Sequence, residues 1–327
     1  MRNRIRWIIP LIILTVGAII CIIRWDVWFT NPQEPQWEGD ELEFGFYTFG
    51  QNDVPNWTFN GLYWQDIKDP DTLCIVVLGD VHNQLVDSQW KAIYQRHPSI
   101  DCYAQAGDFM ERCYNYYIQE LYHQLSGTGF DSIPILAVPG NHEYRKGIIR
   151  RLPDRWLQMF PNPQNGPSGM KGSTYYVDMN GLRLILIDTN PLQRLSDYTR
   201  LNTWVNQVIN DGKESGRYVM AIMHHPVHSV AKGRSNPLIA LTLIRALKKA
   251  DVVFTGHDHN YNRRLPFIGT TATARSHRIN NKNSADIVHT GDQLYEWVTI
   301  YGSTMMIETR MVDTGEVIDV IEWPVKE

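Results

Sequence analysis

The chain has 327 residues, of which 43% are hydrophobic and 20% charged, with a formal net charge of −4. That is enough apolar material for one large α/β core plus extensions. The acidic balance lacks the basic field that non-specific nucleic-acid binding needs, so no nucleic-acid partner is expected. From residue 40 onward no low-complexity run or fixed-period repeat occurs, which excludes solenoids and long disordered tails.

Arg2, Arg4 and Arg6 precede an apolar stretch from Trp7 to Ile23, interrupted only by Pro10, Thr15 and Gly17. A bilayer core takes roughly 17–25 residues, and this stretch sits at the short end of that range. No small-x-small cleavage site follows, so residues 1–23 read as an uncleaved N-terminal signal-anchor, a single transmembrane helix. The alternative is a lipoprotein acylated at Cys21, although Ile19 and Ile20 stand where such a site wants a small residue. Three arginines before the span, against Arg24 alone until Lys68 after it, place the N-terminus inside. Residues 24–327 are then expected outside the cytoplasm, on a periplasmic or extracellular side. Residues 24–39, with two prolines and no periodicity, read as a linker. Residues 40–69 form an aromatic-rich extension, read either as short strands packed on the main domain or as a substrate-side flap.

The domain proper is expected over 70–327. Six short apolar runs end in turn chemistry: 73–80 (LCIVVLGD), 102–108 (CYAQAGD), 133–141 (IPILAVPGN), 182–188 (LRLILID), 218–225 (YVMAIMHH) and 250–257 (ADVVFTGH). Continuous apolar runs of this length predict buried strands. Stretches with helical period lie between several of them, at 87–97, 115–125, 197–210 and 237–250, and the alternation predicts α/β layers. After Gly269 the runs 298–302, 304–311 and 317–323 predict an antiparallel finish. Cys74, Cys102 and Cys113 are odd in number, which argues against a disulfide framework. Cys74 and Cys102 each stand six residues before an aspartate, so adjacent parallel strands would set two buried thiols side by side.

The residues that end these runs carry the chemistry. Asp80 and His82 follow the first (GDVH), Asp108 the second (GD), Asn141 and His142 the third (GNHE), His224 the fifth, and His257 with His259 the last (GHDH). Loops beyond strand C-termini are where sites assemble in α/β folds. Carboxylate oxygen mixed with imidazole nitrogen suits hard-to-intermediate divalent metals. Two carboxylates leave two such ions with roughly a +2 charge, which suits a phosphate ester, and metals about 4 Å apart acidify a bridging water.

Taken in order, GDVH, GDFMER, GNHE, the histidine of MAIMHH, and GHDH resemble the blocks of the calcineurin-like metallophosphoesterases over roughly 73–262. The resemblance implies a four-layer α/β/β/α sandwich, in which two β-sheets are flanked by helices. It also implies two divalent metal ions, of Mn, Fe, Zn or Mg. One would take Asp80, His82, Asp108 and His259; the other would take Asp108, Asn141, His224 and His257, with Asp108 bridging. The implied reaction is hydrolysis of a phosphate ester by a hydroxide that bridges the metals, with His142 as general acid. Glu111 and Arg112 fall where the Ser/Thr phosphatase branch orients that histidine and grips phosphate. The alternatives are a phosphodiesterase, a lipid-pyrophosphate hydrolase, or a non-catalytic anchored metal or phosphate binder. The substrate would be a phosphorylated small molecule, lipid or protein. Glu111 stands where the purple acid phosphatases carry a tyrosine, so no ferric-tyrosinate colour is expected. The segments 224–229 and 256–263 nonetheless look more like that branch. Of the remaining candidates, His97, His123, His277 and His289 read as surface or loop residues. His225 and His228 divide between packing and the substrate rim, Asp188 reads as a turn cap, and Tyr261 and Arg263 are possible pocket residues.

Overall fold

A computed structural model of the chain describes residues 64–67, 71–146, 150–192 and 194–323. The expected span over 1–23, the linker over 24–39 and nearly all of the extension over 40–69 lie outside them. Among the described residues no helix is long and apolar enough to cross a membrane.

The apolar runs form strands. In the first sheet these are β1 (Thr72–Leu78), β2 (Cys102–Ala106), β3 (Ile135–Val138), β11 (Leu294–Tyr301), β12 (Thr304–Met311) and β13 (Val317–Trp323). Their order is β13-β12-β11-β1-β2-β3, with β1, β2 and β3 parallel and β11 antiparallel to β1. The second sheet holds β4 (Tyr175–Met179), β5 (Leu182–Ile187), β6 (Tyr218–Met223), β7 (Val252–Thr255), β8 (Tyr261–Arg264), β9 (Phe267–Gly269) and β10 (Ile287–His289). Its order is β10-β8-β9-β7-β6-β5-β4, with β5, β6 and β7 parallel.

Side-chain alternation along the strands builds the layers. Leu73, Ile75 and Val77 of β1 meet Leu184, Leu186, Met220 and Phe254 of the second sheet in the central core. The opposite side chains, Cys74, Val76 and Leu78, pack under α1 (Asp87–Arg96), α2 (Asn115–Leu125) and the short α3 (Asp154–Met159). On the outer face of the second sheet, Ile185, Ala221 and Val253 pack under α4 (Leu195–Glu214) and α5 (Pro237–Leu247). The order of layers is therefore helix, sheet, sheet, helix. Strands buried on both faces explain why their sequences read as unbroken apolar runs rather than alternating ones. The sequence-predicted helices over 87–97, 115–125, 197–210 and 237–250 correspond to α1, α2, α4 and α5. Strands β4, β8, β9 and β10 and helix α3 were not foreseen.

Two expectations need correction. Cys102 pairs with Ile75 in the β1–β2 register, not with Cys74. The one-residue offset sends Cys102 into the central core and Cys74 to the helix side, so the thiols are both buried and free but lie on opposite faces. His97 is no surface residue: it is buried, stacks on Trp297 at 4.0 Å and meets the Tyr295 hydroxyl at 3.0 Å.

Candidate metal centre

Parallel strands β1, β2 and β3 of one sheet, and β6 and β7 of the other, end at the same pole, where the loops carrying GDVH, GDFMER, GNHE, MHH and GHDH converge. The backbone there is unusual. Asp80, His82, Asn83, Asp108, His257 and His259 all have positive φ, between 50° and 72°, and they are the non-glycine residues to do so among those described. Left-handed backbone costs a non-glycine residue on the order of 1–3 kcal/mol, and it persists where surrounding structure enforces it. Glycine supplies the close approach: a Cβ on Gly140 would collide with the Asp108 carboxylate, and one on Gly107 with the His224 ring.

The side chains meet tightly. Asp108 Oδ2 stands 3.6 Å from His82 Nε2 and 3.3 Å from His224 Nε2, between the two halves of the cluster. Asp80, His82, Asp108 and His259 gather on one side. On the other, His224 Nε2 lies 3.1 Å from Asn141 Oδ1 and 3.2 Å from His257 Nδ1. Every sequence-predicted ligand is therefore in the cluster. The distal ring nitrogens are fixed from behind, His224 Nδ1 by the Ala106 carbonyl at 3.1 Å and His259 Nδ1 by the Arg275 carbonyl at 3.0 Å. Donation to these carbonyls turns the Nε2 lone pairs toward the cluster.

This arrangement fits cations. His82 Nε2 and His259 Nε2 face each other at 3.2 Å, and three acceptors crowd His224 Nε2, more than one N–H can satisfy. Asp80 Oδ2 is buried with no hydrogen-bond partner. Burial drives His259 down to about 3 and His257 well below the ordinary imidazole value, so both are neutral lone-pair donors. Burial would do the same to His224, but Asp108 and Asp80 outweigh it and raise that ring to about 9. Burial would likewise raise Asp108, yet His224, His142 and His82 hold it well below the usual carboxylate range. The carboxylates draw positive charge to the place where metal ions would bring it.

His142 is joined to the centre through its backbone N–H, which donates to Asp108 Oδ1 at 2.8 Å. Its Nδ1 lies 2.9 Å from the Glu111 carbonyl and 2.6 Å from Arg112 Nη1. The Glu111 carboxylate divides itself: Oε2 is 3.3 Å from His82 Nδ1, while Oε1 is 3.6 Å from His142 Nδ1. The resemblance sets Glu111 against His142 alone; in the structure it sits as closely on His82. Burial, helped by His82 and Arg112, moves His142 below the ordinary imidazole value.

Several residues escaped the sequence reading. Glu143, last of GNHE, is fully buried and accepts N–H bonds from Asp108, Met110 and Gly140. Asp258, inside GHDH, accepts from Ser229 Oγ at 2.7 Å and Val230 N at 2.8 Å. Both were printed within the motifs, but nothing distinguishes an acid that holds a loop from one that holds a metal until the loops are placed. Arg234 brings Nη1 to 3.4 Å from His257 Nδ1 and hydrogen-bonds His277. His277, expected as a surface or loop residue, lies in the loop after β9 and stacks on His259 at 4.3 Å. Tyr261 and Arg263 turn away from the site, both onto Asp319 of β13. Asp188 accepts from Asn190 N at 2.9 Å, the turn-cap role expected of it, and also from the Tyr144 hydroxyl at 2.5 Å. His225 is buried behind the centre, with Nδ1 2.7 Å from Thr189 Oγ1.

Residues 73–261 match the family model described as calcineurin-like phosphoesterase. The chain belongs to this family. Calcineurin-like phosphoesterases use a centre of two divalent metal ions, and the Asp and His cluster is of that kind. The chain is similar to the glycerophosphodiester phosphodiesterase GpdQ of Enterobacter lignolyticus (strain SCF1), at 25% identity over 135 residues. That match covers 39% of this chain and 45% of the relative, so the chain spans less than half the relative's length. The fold is shared with the purple acid phosphatase PPD1 of yellow lupin (Lupinus luteus), with a TM-score of 0.60 at 16% identity over 77% of this chain and 53% of that one. It is also shared with GAP50, the anchor in the inner membrane complex of Plasmodium. There the TM-score is 0.56 at 14% identity, over 78% of this chain and 90% of that one.

Proposed function

We propose that this chain hydrolyses a phosphate ester at a centre of two divalent metal ions. Asp80, His82, Asp108 and His259 would hold one ion, and Asp108, Asn141, His224 and His257 the other. The observation that carries this reading is Asp108 Oδ2, set between His82 Nε2 at 3.6 Å and His224 Nε2 at 3.3 Å. When bound, the two ions supply Lewis acidity toward phosphate oxygens and acidify water at the site.

The chain's own groups do the rest. His142 is the general acid. In its imidazolium form Nδ1–H donates to the Glu111 carbonyl, which leaves Nε2–H to give its proton to the departing oxygen. Arg112 and Arg234 flank the centre from two sides, and a guanidinium pairs bidentately with phosphate oxygens. Glu111 fixes the ring of His82 from behind and bounds that of His142. The test is Asp108→Asn, which should lose activity by several orders of magnitude and bind fewer than two metals per chain. Two tightly held metals with near-normal turnover would overturn the bridge.

A phosphodiester substrate is the second reading, favoured by the similarity to a glycerophosphodiester phosphodiesterase. Parallel rates on chromogenic mono- and diesters with Mn²⁺ decide between them.

The apolar run from Trp7 to Ile23 supports a membrane anchor, and the excess of arginine before it supports a catalytic domain outside the cytoplasm. A C-terminal alkaline phosphatase fusion should be active. A C-terminal reporter that works only in the cytoplasm would reverse the orientation.

A further inference from the structure

Helix α5 presents an unusual outer face. Leu238 is 51% and Leu241 77% exposed, and Arg245 and Lys248 follow on the same solvent side. The spacing of three, four and three residues makes one continuous stripe on a helix. No acidic residue occurs between Asn236 and Ala250. Leu195, 73% exposed, opens α4 directly after the exposed Arg194. The first turns of the two helices neighbour each other, because Tyr198 of α4 is hydrogen-bonded to Asn236, the N-cap of α5.

Position gives the stripe its meaning. Helix α4 follows the C-terminal end of β5, and α5 follows the loop that carries Arg234 to within 3.4 Å of His257. Both helices therefore start at the pole where the metal centre lies, with Leu195 and Leu238 in their first turns. Exposed leucines rimmed by Arg and Lys are the composition of a surface that lies on anionic lipid. A second copy of this chain would set these bases against their own kind. The apolar run over 7–23, read above as a membrane anchor, would keep the domain at a bilayer.

We propose that this face docks on an anionic lipid bilayer and presents the metal centre to phosphate esters carried in that bilayer. The substrate class rests on the phosphoesterase reading above. Docking itself does not.

The full-length chain is reconstituted in phosphatidylcholine vesicles with and without one part in three of phosphatidylglycerol. A solvatochromic dye on Leu241→Cys reports contact. Its emission should shift to the blue in the anionic vesicles and be quenched by brominated acyl chains. The double variant Leu238→Asp with Leu241→Asp should turn over a soluble nitrophenyl ester normally and lose at least tenfold on a phosphate ester held in the bilayer. A dye that stays in water in both vesicle types overturns the proposal. So does a dye that is shielded in detergent as well as in lipid and indifferent to bromination, because a protein surface, such as residues 40–63, would then cover the stripe. Wild type inactive on the soluble ester defeats the phosphoesterase reading, while the dye still decides docking.

Discussion

Glu143 and Asp108 are tied across two strand ends: one oxygen of the Glu143 carboxylate accepts the Asp108 N–H at 3.0 Å and the Gly140 N–H at 2.6 Å. The other accepts from Met110 at 3.1 Å. A buried carboxylate thus holds the left-handed backbone at Asp108 against the loop that bears Asn141 and His142. Glu143→Ala would leave three buried N–H groups unpaired, at a cost of about 1–3 kcal/mol each. It should also weaken metal binding about 10–100-fold, as outer-shell losses do. Urea unfolding of the metal-free chain and calorimetric Mn²⁺ titration read the two effects. An unchanged affinity would mean that the loop holds itself.

His142 should matter for chemistry and not for metal. His142→Ala is expected to lower turnover far more for esters with poor leaving groups than for nitrophenyl esters, with metal content unchanged. An equal loss across leaving groups, or a loss of metal, contradicts the general-acid role. Glu111→Gln should reproduce the effect weakly and, because Glu111 also meets His82, should lower metal affinity as well.

Arg234 lies beside His257 and His277 with its charge turned to the centre. Arg234→Ala should raise KM and the inhibition constant of inorganic phosphate about tenfold, the loss expected for one charge-assisted hydrogen bond, with kcat altered less. Inhibition by phosphate that does not change would place Arg234 outside the substrate site.

His97 gives a pH dependence remote from the metals. Burial, with Arg310 and Arg96 near it, lowers the folded-state value to about 4 from an ordinary 6.5. The unfolded chain therefore binds a proton first. Stability is full above pH 6.5 and falls as pH drops from there toward 4. Urea midpoints at pH 7.5 and pH 5 should converge in His97→Gln relative to wild type. The same spread in both proteins would remove His97 as a source.

Nine of the thirteen described strands, four of the helices and the family were legible in the sequence, as were the seven side chains that gather in the cluster. Strands covered on both faces must be apolar throughout, and loops at their C-terminal ends carry residues whose types survive as motifs. Register, by contrast, is a tertiary quantity: a one-residue offset between β1 and β2 put Cys74 and Cys102 on opposite faces. The same holds for His277 and Arg234, brought to the centre by the loops after β9 and β6, with no local pattern to mark them. It holds for Glu143 and Asp258 too, acids inside legible motifs whose partners are backbone N–H groups of other loops. Short-range periodicity encodes what a residue is buried against along its own strand or helix. Which distant loop it meets depends on how the two sheets pack, and only the folded chain contains that information.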